Sequence, residues 1–156
     1  MILEIYCVNG YDMRTLLKNH RIVDIVSGTF IILFTYTAVN KFIEYRTFRI
    51  ALMQSPIPVN YTDIMAVGLP TAELLVVALL VISATRKAGL LFALIFMVVF
   101  TFYVSYIIFF ASDRPCNCGG IIKALSWKQH LIVNLILAVL AAWAWLIRNQ
   151  MKALSR

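Results

Sequence analysis

Residues 88–110 read AGLLFALIFMVVFTFYVSYIIFF and contain no Asp, Glu, Lys or Arg. A helix needs about 20 mostly apolar residues to cross the hydrocarbon core of a bilayer. This stretch supplies them without a charge to pull it back into water, so it reads as a membrane span. Three further stretches follow the same rule. Residues 22–39 carry one acid, Asp24, near their start; residues 64–84 are interrupted by Pro70 and Glu73; residues 131–147 end in a segment bearing Trp143 and Trp145. Aromatic residues near span ends suit the membrane interface. Only Thr85, Arg86 and Lys87 separate the second run from the third, which makes those two an antiparallel hairpin. The expected architecture is all-α, an integral membrane four-helix bundle, forming one domain over residues 1–156 with an N-terminal tail at 1–21.

Composition points the same way. The chain has 156 residues, 62% hydrophobic and 13% charged, with a mean hydropathy of +0.87. Soluble domains carry about a quarter charged residues, and a small globule cannot hide this much apolar surface. Disordered chains are poor in these same residues. The net charge of +7 would suggest nucleic acid in a soluble protein. Here the basic residues lie in short segments between apolar runs, where they suit the lipid bilayer's anionic head groups. Nucleic acid is therefore rejected as a partner.

Counting Lys and Arg gives the orientation. Arg14, Lys18, Arg21, Arg86, Lys87, Arg148, Lys152 and Arg156 fall on the side of both termini, against Lys41, Arg46, Arg49, Arg114, Lys123 and Lys128 on the other. The bias places both termini in the cytoplasm. The long connection 40–63 and the loop before the last span then lie outside. Within that connection residues 41–54 have helical composition, but their charges fall on more than one side. Ser55-Pro56-Ile57-Pro58 stops any helix there, because proline cannot donate a helical hydrogen bond. The first span is preceded by too many residues, and followed by too poor a cleavage site, to be a signal peptide.

The outer loop reads Asp113-Arg114-Pro115-Cys116-Asn117-Cys118-Gly119-Gly120. Cysteines two apart close a disulfide only if the chain turns, and the flanking proline and glycines favour turning. A staple gains most by closing a long loop. Strained or exposed disulfides, by contrast, have the higher potentials of the labile, catalytic kind. Redox chemistry at Cys116 and Cys118 is the reading preferred over an inert disulfide or free thiols. A metal site is disfavoured, since only His130 stands near the pair. Cys7, on the opposite face, reads as a small apolar residue.

Ser126 with Gln129 forms a capping box, so the last helix should start there, with Trp127, His130 and Asn134 on one face. His130 would lie about one turn below the cysteines, placed to stabilise a thiolate or carry its proton. It equally suits an interfacial histidine bonded to a neighbouring helix. Glu73 falls near mid-membrane, where an ionisable group is costly and needs a partner. Lys41, at the outer end of the first span, could snorkel inward to it, or Tyr103 or Tyr106 could offer a hydroxyl. Asp24 reads as an acid at a helix N-terminus.

Taken together these residues resemble the MauE branch of the MauE/DoxX group, four-helix bacterial inner-membrane proteins associated with redox processes. The resemblance is carried by Ala38-Val39-Asn40-Lys41-Phe42, Gln54-Ser55-Pro56, Leu69-Pro70-Thr71-Ala72-Glu73-Leu74, the Cys116-Asn117-Cys118-Gly119-Gly120 element and Ser126-Trp127-Lys128-Gln129-His130-Leu131. It covers most of the chain from Val23 onward and leaves residues 1–21 unmatched. It implies a role in making or carrying disulfides in the periplasm, with a thioredoxin-like partner. Methylamine-utilisation members are associated with maturing a disulfide-rich dehydrogenase subunit, and DoxX relatives with quinol-oxidising complexes, which makes a quinone the cofactor to consider. The expected function is a membrane component of a periplasmic thiol–disulfide pathway. The alternative is a non-enzymatic structural or assembly subunit of a larger membrane complex.

The orientation is checked by labelling Cys116 and Cys118 in reduced whole cells with a membrane-impermeant thiol reagent. Labelling of intact cells is expected; reaction only after the inner membrane is breached would reverse it.

Overall fold

A computed structural model describes residues 13–55, 58–110 and 127–154. Its elements are α1 (Met13–Ile43), α2 (Tyr45–Met53), a 3-10 turn (Val59–Tyr61), α3 (Thr62–Val81), α4 (Arg86–Phe110) and α5 (Trp127–Leu154). Four of the helices are long and apolar enough to cross a membrane, over Asn19–Ile43, Val59–Val81, Arg86–Phe109 and Lys128–Gln150. α1 packs on α3, α3 on α4, α4 on α5 and α5 back on α1, while α1 and α4 barely touch across the diagonal. The bundle is a closed ring of four.

The inward stripe joins Val23, Phe30 and Phe34 of α1 to Val76 and Leu80 of α3, Leu90, Ala93 and Met97 of α4, and Ala141, Ala144 and Ile147 of α5. Alanines on both α4 and α5 let those two helices approach closely, as small residues do at membrane helix interfaces. The outward faces carry Ile32, Phe102, Phe109 and Val139, all exposed. A contiguous apolar surface of this kind is tolerated only against lipid or a partner. Several hydroxyls on these helices are satisfied locally: Thr29, Thr71 and Thr101 each donate to the carbonyl four residues earlier, which hides them from the apolar surroundings.

α1 begins at Met13, well before its apolar run. Asp24 therefore lies inside the helix and not at its N-terminus. It meets Arg86 at 2.5 Å and faces His20 one turn earlier at 3.8 Å. Arg86 and Lys87 belong to α4, so the hairpin link is instead the four-residue turn 82–85. Basic side chains close this end of the bundle on the C-terminal carbonyls of α3, where positive charge is favourable. Arg86 Nε donates to Leu80 O at 3.2 Å and Arg148 to Ser83 O at 3.1 Å, while Lys87 reaches Asn149 at 2.5 Å.

The connection after α1 also differs from expectation. Lys41 belongs to the last turn of α1 and Glu44 to the break that follows. Once the helix is counted from Tyr45, Phe48, Ala51 and Leu52 share a buried face while Arg46 and Thr47 are exposed. α2 is amphipathic, and its Phe48 and Leu52 pack with Ala66 of α3. Arg49 forms an exposed ion pair with Asp63.

Gly89 sets the approach of α4 to α3: a Cβ there would lie 2.9 Å from Leu80 N and 3.0 Å from Leu79 C. Backbone atoms cannot swing aside as a flexible side chain can. Gly89→Ala is expected to force the hairpin apart and to cost about 1–3 kcal/mol, read as a lower unfolding midpoint in detergent. Gly28 and Gly68, with nothing within 4 Å, should accept alanine without that loss.

Candidate functional site

Along most of its length the bundle interior is hydrocarbon, but in the half that holds the end of α1 and the start of α5 it turns polar. Lys41 is 8% exposed and Glu73 is 6% exposed, and the ammonium of Lys41 donates to Oε1 of Glu73 in a buried ion pair. Thr37, one turn before Lys41 on the same face of α1, donates to Glu73 Oε2 at 3.2 Å. The ring of Phe48 lies 5.8 Å from the Lys41 ammonium, so α2 covers the pair with an aromatic face that attracts a cation. Pro70 is buried one turn before Glu73 in α3.

Burying two ions costs several kcal/mol each, and their attraction offsets this only where the geometry is good and spare lone pairs are satisfied. Both conditions are met here. The sequence-based expectation of a Lys41 partner for Glu73 is observed. The hydroxyl that reaches it comes from Thr37 on α1 instead of Tyr103 or Tyr106 on α4.

α5 brings His130 and Asn134 to the same place, 9% and 4% exposed. They stand one turn apart on one face, as their spacing required. The His130 ring lies 5.5 Å from the ring of Phe100 on α4. Between these side chains is a cavity of about 150 Å³, bordered by Thr37, Lys41, Glu73, His130 and Asn134 and by the apolar Phe34, Phe96, Met97 and Phe100. His130 Nδ1 and Asn134 Nδ2 have no hydrogen-bond partner among the described residues. Nor, among those residues, do three His, Cys, Asp or Glu side chains converge as a metal would need.

Cys116 and Cys118 lie outside the described residues, as does Ser126 of the expected capping box. Sequence reasoning missed Thr37 and the aromatic wall of Phe34, Phe96 and Phe100. Thr37 had a readable signal, since i and i+4 share a helix face and place it under Lys41. The aromatics had none, because every span is rich in them.

Fold and site together define a multi-pass membrane protein with a charged centre inside an apolar bundle. Comparison with protein families places it further: the family described as Methylamine utilisation protein MauE matches residues 19–147. The chain belongs to the MauE family. No curated protein and no solved structure matches it.

Glu73→Gln keeps the shape of the side chain but leaves the Lys41 ammonium buried without a counter-charge. A loss of about 3–5 kcal/mol is expected, against about 1 kcal/mol for Thr37→Val, which removes one hydrogen bond. Equilibrium unfolding in detergent checks the order; equal effects, or none, would mean that water reaches the pair.

Proposed function

We propose that this protein is the membrane component of a periplasmic thiol–disulfide pathway, with both termini in the cytoplasm and Cys116 and Cys118 meeting a thioredoxin-like partner outside the inner membrane. The observation that supports the reading is one of placement. The cysteines belong to the connection between Phe110, which ends α4, and Trp127, which opens α5. This is the end of the bundle towards which Lys41, Glu73, His130 and Asn134 gather. Reactive chemistry on the connection and polar chemistry within the bundle thus share one end.

In the proposed exchange a thiolate of the pair attacks the partner's disulfide, forming a mixed disulfide and releasing one partner thiolate. The second cysteine, deprotonated, attacks its neighbour's sulfur and releases the other partner thiolate. The products are the Cys116–Cys118 disulfide and the reduced partner; two electrons have moved from this chain to the partner, and the protons lost by one dithiol are regained by the other. The reverse sequence uses the same atoms. His130, one turn into α5, is the histidine nearest in sequence to the pair, suited to accept a thiol proton.

The test is a titration of the purified protein against glutathione or dithiothreitol buffers, with alkylation to count thiols. The pair should cycle at a potential well above the roughly −300 mV below which structural disulfides lie. Cys116→Ser and Cys118→Ser should each abolish function in cells while the bundle stays folded, since its stability lies in helix packing. A pair that stays oxidised under strong reductant, or serine variants that retain full function, would leave the chain as an assembly subunit.

A further inference from the structure

The seam between α1 and α5 carries a groove on the outside of the bundle, at the end pinned by Arg86 and away from the polar interior. Ile22, Ile25 and Phe30 line it from α1, and Leu137, Leu140 and Trp143 from α5, around a volume of about 240 Å³. Ile25 and Trp143 are exposed, so the groove is open to lipid. Apart from the indole of Trp143, the polar group in the lining is the Thr29 hydroxyl, and it already donates to Ile25 O at 3.0 Å. Such a space left empty forfeits the dispersion contacts of the atoms around it, and its lining is best met by hydrocarbon.

The depth of the groove selects the occupant. Along α1 it runs from Ile22 to Phe30, about 12 Å of helix rise. The hydrocarbon core of a bilayer is about 30 Å thick, so the groove spans less than one leaflet. A partner helix, from a second copy or from another protein, would need a seam that crosses the whole core. An acyl chain of the nearer leaflet needs only this depth.

The charge at the mouth of the groove selects the head group. α1 continues outward past Ile22, and Lys18 and Arg21 stand one turn before Ile22 and Ile25, so helix register sets both on the groove side of the helix. Arg21 is exposed and makes no ion pair among the described residues. Arg86, Lys87 and Arg148 add positive charge at the same end, and Asp24, which could offset it, is taken up by Arg86. Trp143 is half exposed, as tryptophan is where it meets head groups. Juxtamembrane cations attract anionic lipids anywhere on a bilayer surface; what sets this corner apart is a fixed place for one chain beside them.

We propose that the groove between α1 and α5 binds one anionic phospholipid, with an acyl chain laid along the groove and the phosphate at the basic turn that holds Lys18 and Arg21. The assignment uses neither the cysteines nor the polar cavity, and it stands or falls apart from the thiol–disulfide reading.

The experiment is native mass spectrometry of the full chain in detergent, titrated with dioleoyl phosphatidylglycerol. Dioleoyl phosphatidylcholine, which has the same chains on a head group without net charge, and glycerol 3-phosphate, which has no chains, are the comparisons. One phosphatidylglycerol should be retained at least tenfold more tightly than phosphatidylcholine, and glycerol 3-phosphate should not be retained. Arg21→Gln should weaken phosphatidylglycerol about fivefold, the effect of one basic residue near an anionic head group. Ile25→Trp, at a position 69% exposed, should fill the groove and weaken binding at least tenfold, whereas Val99→Trp, at a position 62% exposed on α4, should leave it unchanged. Circular dichroism melts show that each variant is folded. Equal retention of the two phospholipids, retention of glycerol 3-phosphate, unchanged affinity in folded Arg21→Gln or Ile25→Trp, or an equal loss in Val99→Trp would each overturn the assignment.

Discussion

The ion pair between Lys41 and Glu73 is the constraint around which this bundle is arranged. An acid at mid-membrane is expensive to leave facing lipid, and a lysine buried beside it is expensive without the acid. α1 and α3 must therefore keep one mutual register, in which the last turn of α1 stands against the middle of α3. Thr37 and Phe48 follow from that register: one satisfies the second carboxylate oxygen at 3.2 Å, the other lies 5.8 Å from the ammonium. α2 consequently has to fold back over the end of α1, and its buried Phe48, Ala51 and Leu52 give it the apolar face to do so.

The two ends of the bundle are built to opposite rules. At the α3–α4 hairpin Gly89 lets backbone meet backbone, and Ala93, Ala141 and Ala144 are wholly buried. Arg86, Lys87 and Arg148 bind the helix ends together. At the other end bulky rings replace alanine, charged and amide groups enter the interior, and a cavity of about 150 Å³ remains. Close-packed interiors hold few such spaces. One end is pinned by ion pairs and close backbone contact, and the other holds the buried polar groups.

Much of this was legible in the sequence because lipid imposes simple rules. Four apolar runs gave four helices, and Glu73 with Lys41 stood out because charges are rare in such runs. What failed did so for local reasons. Asp24 looked like a helix-start acid only because the helix was taken to begin with its apolar run, whereas Met13–Arg21 continues it outward and Asp24 meets Arg86 across the bundle. Residues 41–54 looked unevenly charged because two helices, broken at Glu44, were read as one. Thr37 was readable only from its place one turn before Lys41, since threonines in such helices commonly bond their own backbone, as Thr29 and Thr71 do. The cavity is a property of all four spans packed together and has no signature in any one of them.

A double-mutant cycle between Lys41→Met and Glu73→Leu, with unfolding free energies measured in one detergent or lipid system, examines the central interaction without reference to function. Each single change strands a charge inside the bundle and should destabilise strongly, whereas the double change leaves an apolar pair of similar bulk. The expected result is a coupling of about 2 kcal/mol or more, of the size contacting residues show, with the double variant more stable than either single one. Losses that simply add would mean that the two side chains do not meet, and that the register of α1 on α3 is set by something else.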